Sequence, residues 1–202
     1  MPRPSNTGVR RAQVAQALLA VMSREGYERA SISKIAKQAK LAPGLVHYHF
    51  ESKLEILVTV VQEITAAVEG RYAKRIGSAH TPIARLHALI DAHLSLDDEA
   101  DPRAVAAWNV IGAEAVRQGE VRRLYSKALA ISYARTRSAV VECLEADAAP
   151  TRHASQIASS IVCAIEGCFR VAVANADIIP RGSAAAMVKR MADSLLSPER
   201  EV

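Results

Sequence analysis

An all-α protein of about nine helices is predicted, a basic three-helix module followed by a larger helical domain. Three observations carry this reading. Leu, Ile, Val and Ala dominate a chain that is 50% hydrophobic, while aromatic residues make up only 4% of the 202 residues, a poor supply for a sandwich or barrel. Apolar residues recur at three- and four-residue spacing, with Pro and Gly as punctuation. No segment shows sustained period-two alternation, and no internal repeat is present.

The elements follow in order. A first helix is expected over about Val9–Glu25 on the stripe Ala12, Ala15, Leu18, Leu19 and Met22, ended by Gly26. Ser31 can cap a short second helix whose Ile32, Ile35, Ala36 and Ala39 face inward. Lys40-Leu41-Ala42 is a tight connection, and Pro43 suits the first turn of a third short helix ending near Phe50. Ser52 caps a long fourth helix with Leu54, Leu57, Val58, Val61, Ile64 and Val68 as its apolar face. Gly77 to Pro82 breaks the chain before a helix over about Pro82–Leu96, and Asp97 to Pro102 reads as an acidic turn. Helices over about Arg103–Arg117, Glu120–Ala146 and Thr151–Asn175 come next. Pro180 to Ser183 precedes a last helix to about Leu196, with the stripe Val188, Met191, Ala192 and Leu195.

Charge divides the chain more sharply than hydropathy does. Residues 1–55 hold nine basic side chains (Arg3, Arg10, Arg11, Arg24, Arg29, Lys34, Lys37, Lys40, Lys53) and four acids (Glu25, Glu28, Glu51, Glu55). That is a net +5, and the remaining 17 basic and 17 acidic residues cancel. A basic module, residues 1–55, is therefore set against a neutral one, residues 56–202, and a polyanionic partner is expected for the first. Cys143, Cys163 and Cys168 are odd in number and form no CxxC, which fits a reducing cytoplasm and not a disulfide framework. The N-terminus has no apolar core of a signal peptide. The greasiest stretch, Ile157–Ala174, is read as too short and too polar to span a bilayer, since Ser159, Ser160, Glu166 and Arg170 interrupt it.

Two short helices joined by a tight turn, the second amphipathic, make a helix-turn-helix. With Val46 at the centre of the inner face, Phe50 packs one turn on, while Gly44, Leu45, His47 and Tyr48 point away. This outward face carries no acid. Gly44 permits close approach to a major groove, and Tyr48 offers a ring and a hydroxyl. Ser31, Ser33, His47, His49 and Lys53 are residue types that hold phosphates, and Lys53 stands in a first helical turn whose amides also favour an anion. Simpler roles stand beside these: Ser31 as a cap, His49 as a core histidine against Phe50, Tyr48 as a surface ring.

The run Ser31-Ile-Ser-Lys-Ile-Ala-Lys-Gln-Ala-Lys-Leu-Ala-Pro-Gly-Leu-Val-His-Tyr-His-Phe-Glu-Ser-Lys53 resembles the N-terminal signature of the TetR family of bacterial repressors. The spacing of Ile35-Ala36, Ala39, Gly44, His49-Phe50 and Lys53 carries the resemblance. Ala42 departs from the family's usual Ser or Thr, which removes the side-chain cap of the recognition helix, and His47 replaces a frequent Tyr. The resemblance implies base or groove contacts from Pro43, Gly44, Leu45 and Tyr48. It implies phosphate contacts from Ser31, Ser33, His47, His49 and Lys53.

For the rest of the chain the resemblance implies a small-molecule effector site and a homodimer formed through the last two long helices. Ala107-Trp108, Val121-Arg-Arg-Leu-Tyr125 and Ala164-Ile-Glu-Gly167 through Arg170 are similar, more loosely, to the choline-responsive betaine regulators. A quaternary ammonium needs an aromatic cage with an acid nearby. Tyr72, Trp108, Tyr125, Tyr133 and Phe169, with Asp91, Glu114 and Glu166, supply the types, but no spacing makes them converge, and Trp108 and Phe169 read equally well as core. Trp108, Glu166 and Phe169 are the effector-site candidates. No P-loop, dinucleotide fingerprint, HExxH or GxSxG is present, so no enzyme is indicated, and no cofactor or metal is expected. The alternatives are a thiol- or metal-responsive sensor using Cys143, Cys163 and Cys168, or a helical interaction protein without DNA binding.

Overall fold

The computed structural model describes residues 6–95 and 101–197, and among them every regular element is helical. The helices are α1 (Asn6–Glu25), α2 (Ile32–Ala39), α3 (Pro43–His49), α4 (Lys53–Ile76), α5 (Pro82–Leu94), α6 (Pro102–Ala115), α7 (Gly119–Ala146), α8 (Ala154–Ala174) and α9 (Ala184–Leu196). A single 3-10 turn, Thr151–His153, leads into α8. The acidic turn expected from Asp97, together with Leu96, lies largely outside the described residues.

The described residues form two compact units, residues 6–66 with 102–128 and residues 67–95 and 101 with 129–197. In the first, Gly26 ends α1 at φ 81, a conformation open to glycine without steric cost. Ser31 caps α2 by accepting the Lys34 N–H at 3.3 Å. Lys40 leaves α2 in the left-handed region at φ 55, and the Leu41 N–H reaches back to the Ala36 carbonyl at 2.9 Å, closing the helix end. Pro43 occupies the start of α3, and Ala42 gives it no side-chain cap. Ser52 accepts the Glu55 N–H at 3.1 Å, while Glu55 Oε2 accepts the Glu51 N–H at 2.8 Å, a capping box shifted by one residue.

The core of this unit joins Leu18 and Met22 of α1, Ile35 of α2, Val46 of α3, Phe50, and Ile56 and Leu57 of α4, all fully buried. The α1 stripe is wider than its sequence pattern: Val14, Ala17 and Val21 are buried, and Ala12 is exposed. α1 packs against α2, α3 and α6, so more than one face is covered.

The second unit is held by an apolar cluster of Leu86 and Ile90 (α5), Val140 and Leu144 (α7), Ile157, Ile161 and Ile165 (α8), and Val188, Ala192 and Leu196 (α9). Around it, Arg85 pairs with Glu142 at 2.8 Å, Lys189 with Asp91 at 2.9 Å, and Arg135 with Glu69. The α9 register differs from expectation. Ala185, Val188, Ala192 and Leu196 face the core, whereas Met191 and Leu195 are each 42% exposed. α9 carries two adjacent apolar stripes, and one chain covers only one of them. A second correction concerns α8. With its lead-in turn, Thr151–Ala174 is long and apolar enough to cross a membrane by length and composition. Ala154, Ile157, Ala158, Ile161, Ile165 and Cys168 are its buried face, and further apolar residues such as Val162, Phe169 and Val173 are half-buried or exposed.

Candidate nucleic-acid interface

The site grows from α3. Val46 is buried and fixes the helix roll, and the Phe50 N–H donates to the Val46 carbonyl at 2.9 Å. The opposite face is then open. Pro43, Gly44 and His47 are exposed, Leu45 is half-buried, and Tyr48 is 80% exposed. A Cβ placed at Gly44 meets nothing within 4 Å, so this turn can approach a flat surface closely. The Tyr48 ring stands edge-on to His49 at 5.0 Å between centroids, which restricts its swing without covering it.

Ser31 and Ser33 are exposed at the start of α2, one of them already capping that helix. His49 is half-buried. Lys53, expected to meet phosphate from the first turn of α4, is already engaged within the protein. Its Nζ donates to the Tyr27 carbonyl at 2.7 Å and the Glu28 carbonyl at 3.2 Å, and it lies 4.2 Å over the Tyr27 ring. Burial pulls this ammonium below its ordinary value, against the pull of the Glu114 and Glu28 charges. An ammonium has three donors, so a phosphate contact from Lys53 uses the third.

One organising residue was not singled out from sequence. Arg11 of α1 donates from Nη1 to the His49 carbonyl at 2.5 Å and from Nη2 to Glu55 Oε1 at 2.9 Å. Its guanidinium lies 4.1 Å from the Phe50 ring centroid. It clamps the C-terminal end of α3, where a cation also suits the helix dipole, to the first turn of α4. Its partners lie 38 and 44 residues away, and no local pattern announces such a pairing. The carboxyl of Glu55 is held below its ordinary value by the Glu51 N–H first and then by Arg11.

The effector candidates are distributed over the molecule. Trp108 lies in the first unit, 8% exposed, its ring 4.8 Å from that of Tyr125. Glu166 and Phe169 lie in the second unit and are half-buried on α8. The Tyr72 face is occupied by the Arg135 guanidinium at 5.7 Å. A cleft of about 490 Å³ between α1, the end of α2 and the start of α6 has Gln13, Gln16, Arg24, Gln38, Lys40 and Arg103 in its wall, and none of the three candidates. Cys143 and Cys168 are buried, and burial pushes their thiols up, Cys143 to about 11. That disfavours the reactive thiolate a sensor needs. Among the described residues no group of three His, Cys, Asp or Glu side chains could hold a metal ion.

A buried-face anchor, an acid-free exposed face on a short helix and basic flanks define a helix-turn-helix DNA-binding regulator. The comparisons extend this to a family. Residues 10–60 match the family described as bacterial regulatory proteins, tetR family, and residues 82–197 match "BetI-type transcriptional repressor, C-terminal". The HTH-type transcriptional regulator BetI of Rhizobium meliloti (strain 1021) is 32% identical over 169 residues, covering 84% of this chain and 80% of that protein. A putative transcriptional regulator from Pseudomonas aeruginosa PAO1 superposes with a TM-score of 0.80 at 20% identity, covering 94% of this chain and 91% of that one. A putative transcriptional regulator from Saccharomonospora viridis, in complex with choline, superposes at 0.66 with 17% identity, over 94% and 96% of the two chains.

The chain belongs to the TetR family of transcriptional regulators, with a BetI-type C-terminal domain. It is a DNA-binding regulator with a C-terminal ligand-binding domain, from a family that is not one of enzymes. Such regulators bind operator DNA and act as dimers with small-molecule effectors.

Proposed function

We propose that this chain is a cytoplasmic homodimeric repressor that reads its operator with α3 and releases it when an effector binds. The carrying observation is the opposition of buried Val46 and 80%-exposed Tyr48 across seven-residue α3. On this reading Pro43, Gly44, Leu45 and Tyr48 face the major groove, and Ser31, Ser33, His47, His49 and Lys53 hold phosphates on either side. Residues 1–55 are the DNA-binding part and 56–202 the effector and dimer part. Exposed Met191 and Leu195 on α9, with Val173 on α8, support a dimer through these two helices. Two half-sites roughly 34–36 Å apart fit only one spacing of the paired recognition helices, so a small change in the dimer is enough for release.

A quaternary ammonium such as choline is the first effector to try, given the BetI-type domain and the choline-bound structural neighbour. Trp108 in the first unit and, separately, Glu166 and Phe169 in the second are the side chains to test for it. Trp108 is the single tryptophan, so intrinsic fluorescence during a choline titration reads whether Trp108 takes part. The DNA reading is tested by selecting genomic fragments on the purified dimer, then by mobility shift of the selected and random duplexes at two salt concentrations. A selected duplex held at a salt that releases random DNA is expected. Equal affinity for both would overturn the reading.

A further inference from the structure

Glu114 is a buried charge at the end of α6, 9% exposed, and none of the DNA contacts proposed above uses it. Its Oε1 accepts the Tyr27 main-chain N–H at 3.1 Å. At neighbouring Gly26, φ is +81, a strained conformation for any other residue, and an added Cβ would stand 2.9 Å from that same oxygen and push the carboxylate aside. The loop's carbonyls at Tyr27 and Glu28 in turn accept from Lys53 Nζ at the start of α4. One loop between α1 and α2 is thus gripped by a carboxylate from α6 and an ammonium from α4.

Hydrogen bonding alone does not require this charge. A neutral amide could accept the Tyr27 N–H equally well, and burying a carboxylate is costly unless a cation compensates it. The Glu114 charge favours the ammonium of Lys53, which is itself partly desolvated and is joined to Glu114 through the loop they both bind. Moreover, α6 lies inside the region that matches the BetI-type C-terminal family, yet it belongs to the same compact unit as the helix-turn-helix.

We propose that Glu114 is a positioning residue for DNA binding, supplied by the C-terminal family region. Through the Gly26–Glu28 loop its carboxylate holds Lys53, and with it the start of α4 and the recognition helix clamped there. A purely structural peg would lower stability without touching discrimination. A positioning residue lowers discrimination in a protein that is still folded.

The test uses full-length dimer and the selected operator duplex, with Glu114→Gln, Lys53→Met and the double variant. Affinities for operator and random duplex are measured well below each variant's thermal midpoint. Glu114→Gln keeps the acceptor and removes the charge, and it is expected to lower the operator-to-random ratio about tenfold. The double variant is expected to be little worse than Lys53→Met alone, because contacting residues of one network couple. A wild-type ratio in Glu114→Gln would overturn the proposal, and so would effects that multiply in the double variant. If Glu114→Gln gives no folded dimer, Glu114→Asp withdraws the carboxylate from the Tyr27 N–H; a lowered ratio in that folded variant supports the proposal and a wild-type ratio overturns it.

Discussion

Both compact units have a buried apolar core, and the first adds polar bonds that reach main-chain groups around α3. Around the helix-turn-helix, Arg11, Gln13, Glu55, Lys53 and Glu114 each reach a main-chain group or charged partner on another element. Ion pairs in both units have side chains roughly a quarter to a half exposed, where such pairs contribute little. What orients α3 is therefore the set of bonds to main-chain groups beside it. Directional bonds fix an orientation; an apolar cluster fixes only proximity. On the proposed reading, α3 must meet the groove at one angle, and directional bonds serve that need.

The largest effect that could break this comparison is Phe50→Ala. It removes a fully buried ring beneath α3 and the Arg11 guanidinium, and should cost about 3–5 kcal/mol in denaturant unfolding. All DNA binding should vanish with it. If instead operator binding survives, the polar clamp alone orients α3. Next comes Met191→Asp with Leu195→Asp, on the stripe that one chain leaves uncovered. This pair should raise the dimer dissociation constant about 30-fold or more in sedimentation while the helical content stays. Ile161 is not a fair probe of that interface, because it is buried in the unit's own core.

Ala42→Ser is a smaller effect with the opposite sign. It supplies the cap that α3 lacks and should stabilise the protein by about 0.5–1 kcal/mol, read as a higher unfolding midpoint. The smallest is a pH effect that separates the units. Burial first, then the Arg71 and Arg135 charges, holds His93 of α5 below the ordinary imidazole value, against Glu69 and the Leu89 carbonyl. The unfolded chain takes up this proton as pH falls through about 6.5 and the folded chain does not, so stability drops from there downward. Glu55 has the opposite sense. Its lowered value gives stability that is present above the usual carboxylate range and is lost only as pH falls through its folded value. Amide exchange at pH 7 and pH 5.5 should therefore loosen the second unit before the first.

The sequence made α3 legible because its determinants are local: Pro43 at the start, Val46 and Phe50 one turn apart, and no acid between them. The helices around it were equally readable from their caps, Ser31 and Ser52. What escaped depends on distant partners. Glu114 meets Tyr27 across 87 residues, and an acid in an apolar helix carries no address. The α9 register escaped for another reason. Val188 and Ala192 share their helix with Met191 and Leu195, and hydrophobicity alone cannot tell a core stripe from a second exposed one. For the effector, residue types were legible, but Trp108 and Phe169 satisfy a core as readily as a cage.

The central claim is that the exposed face of α3 reads bases, and Tyr48→Ala tests it most directly. Tyr48 packs on little besides His49, so the variant should remain a folded dimer. Mobility shift on operator and random duplexes at two salt concentrations should show a loss of about 1–3 kcal/mol per half-site on the operator. Random-sequence affinity and its salt slope should stay nearly unchanged. A fall by the same factor on both duplexes would contradict the account, because Tyr48 would then read no sequence.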